Sequence, residues 1–79
     1  MLEKEVESRL RTQVKNKLGG LALKFVSPGL NGVPDRIVLL PGARIIFVET
    51  KAPAKKLRKL QEYVCGLIAA LGFDVCRID

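Results

Sequence analysis

The residues best suited to chemistry are two acids and a lysine at the ends of neighbouring apolar segments. Glu49 and Lys51 follow the apolar run 45–48, and Asp35 opens the segment before it. Side chains two apart on a strand share a face, so Glu49 and Lys51 are expected to stand together. A tight turn at 41–43 would fold the two segments into an antiparallel hairpin. This hairpin would bring Asp35 beside Glu49, within reach of one cation.

Such a pair of acids indicates metal-assisted chemistry on a phosphodiester. Two carboxylates at close range repel each other unless a metal ion or a proton intervenes. Carboxylate oxygens with open water positions suit Mg²⁺ and Mn²⁺, and an ion held there could lower the pKa of a bound water. Lys51 could orient or deprotonate that water, or neutralise charge in the transition state. The alternative is that Glu49 and Lys51 form a solvated ion pair at a strand end.

Composition narrows the class of protein. The chain has 79 residues, with 14 Lys and Arg against 8 Asp and Glu, no His, and a net charge of +6. The absence of His excludes Ser-His-Asp and Cys-His catalysis and His-ligated zinc within this chain. Because 48% of the residues are hydrophobic, the positive charge belongs to a folded surface and predicts a polyanionic partner, most simply nucleic acid. A chain this short predicts one domain over 1–79 that buries only about 60% of its unfolded surface, which favours self-association.

The elements that would position these residues follow from hydrophobic periodicity. Apolar residues recur every four positions over 2–18, as in an amphipathic helix, and Gly19-Gly20 would end it. Strands are predicted at 21–26, 35–40, 44–51 and 73–78. A second helix before Gly72 would carry one apolar stripe, formed by Leu57, Leu60, Val64, Leu67, Ile68 and Leu71. The last strand would then join the sheet by a crossover, which gives an α/β fold with a mixed four-stranded sheet flanked by helices.

The cysteines and the loops add two expectations. Cys65 and Cys76 lie in apolar segments, and both are expected to be reduced and buried, which suits the cytoplasm. The N-terminal residues contain no hydrophobic stretch of signal-peptide length, so a soluble protein that stays in the cell is expected. The breaker-rich segment 27–34 predicts an exposed loop that a ligand backbone could approach closely.

Several short motifs resemble those of one nuclease family. Gly-Val-Pro-Asp-Arg at 32–36 and Glu-Thr-Lys at 49–51 resemble the signature of the PD-(D/E)XK nucleases. The other matches are, in order, Glu3 to Glu7, Gly19-Gly20, Leu60-Gln61 and Leu71-Gly72-Phe73. Over nearly its whole length the chain is similar to the VRR-NUC (virus-type replication-repair nuclease) family, in particular to its standalone minimal phage or prophage members. The resemblance implies a restriction-endonuclease-like α-β-β-β-α-β core.

The resemblance also implies roles for the residues of the hairpin. Asp35 and Glu49 would bind the metal ion together with the backbone carbonyl of Thr50, and Lys51 would activate water. Thr50 departs from the family pattern, in which an apolar side chain is expected. Because its backbone carbonyl would be the metal ligand, this departure leaves the predicted activity in place.

Two further roles fall on the helices. The resemblance implies that Gln61 lines the active site, and a boundary glutamine covering the core is the alternative. The first-helix acid of the family matches Glu3 best, with Glu7 on the same helical face as the second choice. For these N-terminal glutamates the alternative is a favourable interaction with the helix dipole.

The basic residues around this site predict contacts to phosphates. Several of them lie at the start of the second helix, where positive charge is unfavourable for the helix dipole, and this favours a phosphate-facing role. The predicted contacts are Lys24, Arg36, Arg44, Lys55, Lys56, Arg58 and Lys59. With one Tyr and no Trp, base stacking has little basis, so the contacts should be to the backbone and shape of the nucleic acid.

The expected function is therefore hydrolysis of DNA phosphodiesters with Mg²⁺ or Mn²⁺, and with no membrane partner or small-molecule cofactor. Minimal members of the family are similar in design to dimeric junction resolvases, and a duplex with two antiparallel strands suits a two-fold dimer. A homodimer acting on branched DNA, such as four-way junctions, is expected. If phage-encoded, the chain would act in the cytoplasm of a bacterial host. The alternative is a non-catalytic nucleic-acid-binding module that keeps the fold and the basic face.

Overall fold

The computed structural model describes residues 2–50 and 58–78. Its elements are α1 (Glu3–Leu18), β1 (Leu21–Lys24), β2 (Arg36–Leu40), β3 (Arg44–Thr50), α2 (Lys59–Ala70) and β4 (Asp74–Ile78). The predicted α-β-β-β-α-β order is confirmed. Within the described ranges, neither helix is both long and apolar enough to span a membrane.

The first helix packs through the apolar residues that recur every four positions along it. Val6 and Val14 are buried and Leu10 is half-buried, whereas Leu18, the last member of the stripe, is exposed. Behind the helix, a side chain on Gly20 would lie 2.3 Å from the carbonyl oxygen of Leu39. Only glycine fits there, so the helix can end directly against the sheet.

The four strands form one mixed sheet in the order β1-β2-β3-β4. β1, β2 and β3 pair antiparallel, and β4 joins β3 in parallel after the α2 crossover. The predicted hairpin and crossover are thus confirmed. β1 and β2 are shorter than predicted. One further hydrogen bond, from Phe25 N–H to the Asp35 carbonyl at 2.8 Å, joins the chain beyond their ends.

The main core lies between α1 and one face of the sheet. Val14, Val38 and Val48 form its buried centre. Around them pack Leu10, Ala22, Leu40, Ile46 and Ile78. Because side chains alternate along a strand, Phe47 and Glu49 point to the other face, where the Phe47 ring contacts those of Phe25 and Phe73 at centroid distances of 5.9 and 5.6 Å.

The second helix is covered less completely than the first. In α2 only Val64 is buried, and Leu60, Leu67 and the C-cap residue Leu71 are exposed in the single chain. Both cysteines are free thiols, as predicted, but only Cys65 is partly buried. The prediction of a buried Cys76 was wrong: β4 is an edge strand, which leaves this side chain accessible although its segment is apolar.

Candidate active site

Asp35 and Glu49 come together where β2 begins and β3 ends. Arg36 is paired with Val48, so Asp35, one residue earlier, lies beside the segment formed by Glu49 and Thr50. Two hydrogen bonds join Asp35 to this segment. Asp35 Oδ2 accepts the Thr50 N–H at 3.2 Å and the Thr50 hydroxyl at 2.9 Å. The strand register predicted from the turn at 41–43 is therefore the register observed in the sheet.

Glu49 is a buried carboxylate with a hydrogen-bond donor on the next helix. Its side chain is only 1% exposed, and Oε1 accepts a hydrogen bond from Gln61 Nε2 at 3.4 Å. The same glutamine accepts the backbone N–H of Arg58 through Oε1 at 2.9 Å. Gln61 thus caps the start of α2 and contacts Glu49, because a Gln at the third helical position can reach back to the N-cap.

The loop before Asp35 is held against α2 by a close backbone approach. Gly32 has φ +89°, and a side chain there would lie 2.9 Å from Leu60 Cγ and 3.0 Å from its carbonyl oxygen. Pro34, just before Asp35, is buried. Pro34 restricts the residue before it, Val33, to extended conformations, and the close approach at Gly32 sets the first turn of α2 beside this loop.

On α1, Glu7 rather than Glu3 has a described partner near the site. Glu7 Oε1 accepts the Arg36 Nε–H at 3.2 Å, and Arg36 also donates to the Ala22 carbonyl at 3.5 Å. Glu3 is half-buried in the first turn of the helix. The second-choice acid of the sequence analysis therefore lies against the residue that follows Asp35, and it ties α1 to β2.

An open groove of about 300 Å³ reaches Glu49 from the side of α2 and β4. Cys65, Ala69 and Val75 contribute to its wall. Burial raises the pKa of the Cys65 thiol, and the charges of Glu49 and then Asp35 raise it further. Both carboxylates thus act on one sulfur atom, and the raised pKa keeps this thiol protonated and poorly nucleophilic at neutral pH.

The predicted phosphate contacts are spread over the molecule. Lys24, Arg58 and Lys59 are exposed near the end of the sheet that carries Asp35, whereas Arg44 is exposed at the opposite end of β3. Arg36 is mostly covered and holds Glu7. Lys51, Lys55 and Lys56 lie outside the described residues.

Asp35 and Glu49 supply the kind of oxygen donors that a divalent ion would need. Within residues 2–50 and 58–78, no three acidic or cysteine side chains gather into a metal site. The acids that the sheet register brings together are Asp35 and Glu49, and the family resemblance adds the main-chain carbonyl of Thr50 as an expected ligand. All are hard oxygen donors, and such a sparse set suits Mg²⁺ or Mn²⁺, ions that keep several bound waters.

Two features of the site were missed by sequence reasoning. The first is the Thr50 hydroxyl, which was treated only as a departure from a motif although it contacts Asp35. The available signal was a hydroxyl directly between the two charged residues Glu49 and Lys51. The second is the pairing of Arg36 with Glu7, residues 29 positions apart. Nothing local in the sequence identifies that contact.

Comparison with known proteins agrees with this fold. A protein of Acyrthosiphon pisum secondary endosymbiont phage 1, named "Putative nuclease p44", is 48% identical over 77 residues, which cover 98% of this chain and 82% of that protein. A solved structure described as a VRR-NUC domain matches with a TM-score of 0.82 at 26% identity, and covers 99% of this chain and 85% of its own. No family profile matches the chain.

Proposed function

The chain belongs to the VRR-NUC family, and from this premise we propose that it is a metal-dependent nuclease that hydrolyses phosphodiester bonds in DNA. One observation carries the proposal. A carboxylate that is 1% exposed, Glu49, lies beside a second carboxylate, Asp35, and each accepts hydrogen bonds from named side chains. Burying a charged group is costly, so a buried acid beside a second acid points to a function that needs both charges.

Each residue of the proposed site would have its own role. Asp35, Glu49 and the backbone carbonyl of Thr50 would hold Mg²⁺ or Mn²⁺, which when bound would polarise the phosphodiester and lower the pKa of a water. Gln61 orients Glu49 from α2. Lys51, next after Thr50 in the chain, would activate the attacking water, and either Glu3 or Glu7 would supply the acid from α1.

The proposed substrate is duplex DNA, which the protein would contact through its phosphates. Lys24, Arg58 and Lys59 give exposed positive charge near the end of the sheet where Asp35 lies, and the net charge of +6 supports binding to a polyanion. Lys55 and Lys56 would extend this surface, and Arg44 would contact DNA farther from the site. Arg36 would contact DNA only if its ion pair with Glu7 were broken.

We further propose a homodimer that acts on branched DNA in the cytoplasm of a bacterial host. The exposed apolar residues of α2 and its C-cap, Leu60, Leu67 and Leu71, support self-association, since exposed apolar patches mark interaction surfaces. Two copies related by a two-fold axis would present two active sites to the two strands of a junction. Sedimentation equilibrium tests the dimer, and a monomer at concentrations well above micromolar would contradict it.

Cleavage of labelled four-way junction, flap and linear duplex in Mn²⁺ tests the nuclease itself. Asp35→Asn and Lys51→Ala should each lower the initial rate at least about 100-fold, the size of effect expected when a charge-stabilising group is lost from an active site. Asp74→Asn and Lys17→Ala are matched controls at exposed positions on β4 and α1, and they should cleave like the wild type.

The outcomes separate the proposal from its rival. Faster cleavage of the junction than of linear duplex would support branched-DNA selectivity, and equal rates would remove it. If the wild type binds junctions but cuts no substrate in any divalent ion, the chain is a binding module that keeps the fold, and the nuclease proposal fails. It also fails if Asp35→Asn and Lys51→Ala both cut at the wild-type rate.

A further inference from the structure

We propose that Thr50 is a positioning residue that makes Asp35 offer a single oxygen to the metal ion and thereby favours small ions over Ca²⁺. The inference rests on the proposed function, because it concerns how that site binds its ion. It assigns a purpose to a fully buried hydroxyl that contacts Asp35.

Two donors of one residue converge on one oxygen of Asp35. The Thr50 N–H donates to Oδ2 at 3.2 Å and the Thr50 hydroxyl donates to the same atom at 2.9 Å. Thr50 is completely buried, so bulk water does not compete for these bonds. The N–H is fixed by the end of β3, and the hydroxyl is held by a β-branched side chain with restricted rotation. The carboxylate group of Asp35 is therefore fixed in rotation as well as in place.

This arrangement affects the two carboxylate oxygens differently. Oδ2 is engaged by two hydrogen bonds, and Oδ1 is the oxygen that Thr50 leaves available to a ligand. Coordination through both oxygens at once would require Oδ2 to turn away from Thr50. Groups that hydrogen-bond a metal ligand fix its orientation, and their removal typically costs about 10–100-fold in metal affinity.

Coordination through one oxygen discriminates between ions. Mg²⁺ requires near-ideal octahedral geometry with ligands at about 2.0–2.1 Å, whereas Ca²⁺ takes about 6–8 oxygens at 2.3–2.6 Å and accepts bidentate carboxylates. A carboxylate held to one oxygen gives up a coordination mode that benefits Ca²⁺. Loss of the Thr50 hydroxyl should therefore weaken binding of Mg²⁺ and Mn²⁺ more than binding of Ca²⁺.

Calorimetric titration of the full chain with Mn²⁺ and separately with Ca²⁺, in the absence of DNA, tests this inference. Thr50→Val keeps the shape and the backbone N–H but removes the hydroxyl. We expect its Mn²⁺ affinity to fall about 10-fold and the ratio of Mn²⁺ to Ca²⁺ affinity to fall with it. Thr50→Ser keeps the hydroxyl and should retain the wild-type ratio within about threefold, since Ser and Thr share this donor.

Matched variants separate positioning from a loss of structure. Thr12→Val makes the same chemical change at an exposed position of α1 and should leave both affinities unchanged. Far-UV circular dichroism verifies that each variant is folded. If Thr50→Val does not fold, Thr50→Cys replaces it with a similarly small side chain that is only a weak donor, and the same fall in the ratio is expected.

The outcomes distinguish this inference from the proposed function. If the wild type binds Mn²⁺ and a folded Thr50→Val or Thr50→Cys binds both ions as the wild type does, the positioning role is wrong while the nuclease proposal stands. An equal loss for both ions also overturns the selectivity claimed for Thr50. If the wild type binds no Mn²⁺ at all, the metal-dependent function fails first and this inference fails with it.

Discussion

The two ends of β3 differ in burial, and in the opposite sense to that expected from hydropathy alone. At its first end, Arg44 and Ile45 are exposed, and Ile45 leaves 39% of its surface in water. At its last end, Glu49 is 1% exposed and Thr50 is fully buried. An isoleucine is therefore outside and a glutamate inside, although they lie four residues apart on one strand.

The difference lies in what surrounds each end. The first end follows the hairpin turn and is exposed through residue 45, whereas the last end is enclosed by the loop before Asp35, by Gln61 and by the neighbouring strands. Buried polar groups are stable only when hydrogen bonds replace their water. At the last end of β3 the described bonds supply donors to Asp35 Oδ2 and to Glu49 Oε1. We call this the inner end of β3, and the exposed end after the turn its outer end.

The strongest test of this contrast is to remove one charge at the inner end. Glu49→Gln keeps the shape but loses the negative charge that would hold the ion, and cleavage should fall at least about 100-fold, as expected for an electrostatic group in an active site. Initial rates on the preferred DNA substrate measure the effect. Ile45→Val, on the same strand, should leave the rate within about twofold. Equal rates for Glu49→Gln and the wild type would contradict the claim that the two ends of β3 differ in function.

Substitutions of Gln61 test whether the hydrogen-bond partner of Glu49 contributes to activity in addition to Glu49 itself. Gln61→Ala removes both the helix cap and the donor to Glu49, and we expect about a 10-fold loss of activity with a stability loss of about 1 kcal/mol. Gln61→Glu keeps an acceptor for the Arg58 N–H but places a second carboxylate against Glu49. It should therefore keep the helix content in circular dichroism and still lose activity. Full activity in Gln61→Glu would mean that Gln61 serves the helix alone.

The ion pair between Glu7 and Arg36 tests how firmly α1 is tied to the inner end. The two side chains are 24% and 11% exposed, so their coupling should exceed that of a fully exposed pair and reach about 1 kcal/mol. Urea unfolding of Glu7→Gln, Arg36→Gln and the double variant gives this coupling energy. Additive losses would show that the two residues stabilise the fold independently.

Substitutions in the turn at the outer end of β3 should change the stability of the protein and not its activity. Ala43 has φ +60°, a left-handed conformation that costs a non-glycine residue about 1–2 kcal/mol. Part of this is offset by the entropy of a more flexible unfolded chain, so Ala43→Gly should gain about 0.5 kcal/mol in thermal or urea unfolding. Gly42→Ala, at φ +83° with open space around it, should lose stability. The same sign for both substitutions would contradict this account.

The sequence predicted the parts of the site that depend on local spacing. Period-two alternation and the turn at Gly42 were enough to place Asp35 beside Glu49, because register follows from the turn of a hairpin. The position of Gln61 followed from the family resemblance, and the structure adds its contact to Glu49. The roles of these residues in catalysis stay predictions.

Long-range and edge effects could not be predicted in this way. The contact of Glu7 with Arg36 joins two elements whose relative position no periodicity specifies. Cys76 was expected to be buried because its neighbours are apolar, but an edge strand shields its side chains on fewer sides. The ends of β1 and β2 depended on where the loop leaves the sheet, which is the least reliable part of a prediction from propensity.

The position of β1 at the edge of the sheet has a consequence for solubility. Its outer backbone groups face away from β2, and such an edge is a template for pairing with other chains. The segment Leu21–Val26 would be an uninterrupted apolar run of strand-forming residues without Lys24. One charge in such a run is the usual protection against aggregation. The lysine that we propose to contact phosphate therefore also keeps the free protein from stacking edge to edge, and a variant made to weaken DNA binding at this position should replace it with Gln or Glu and not with an apolar residue.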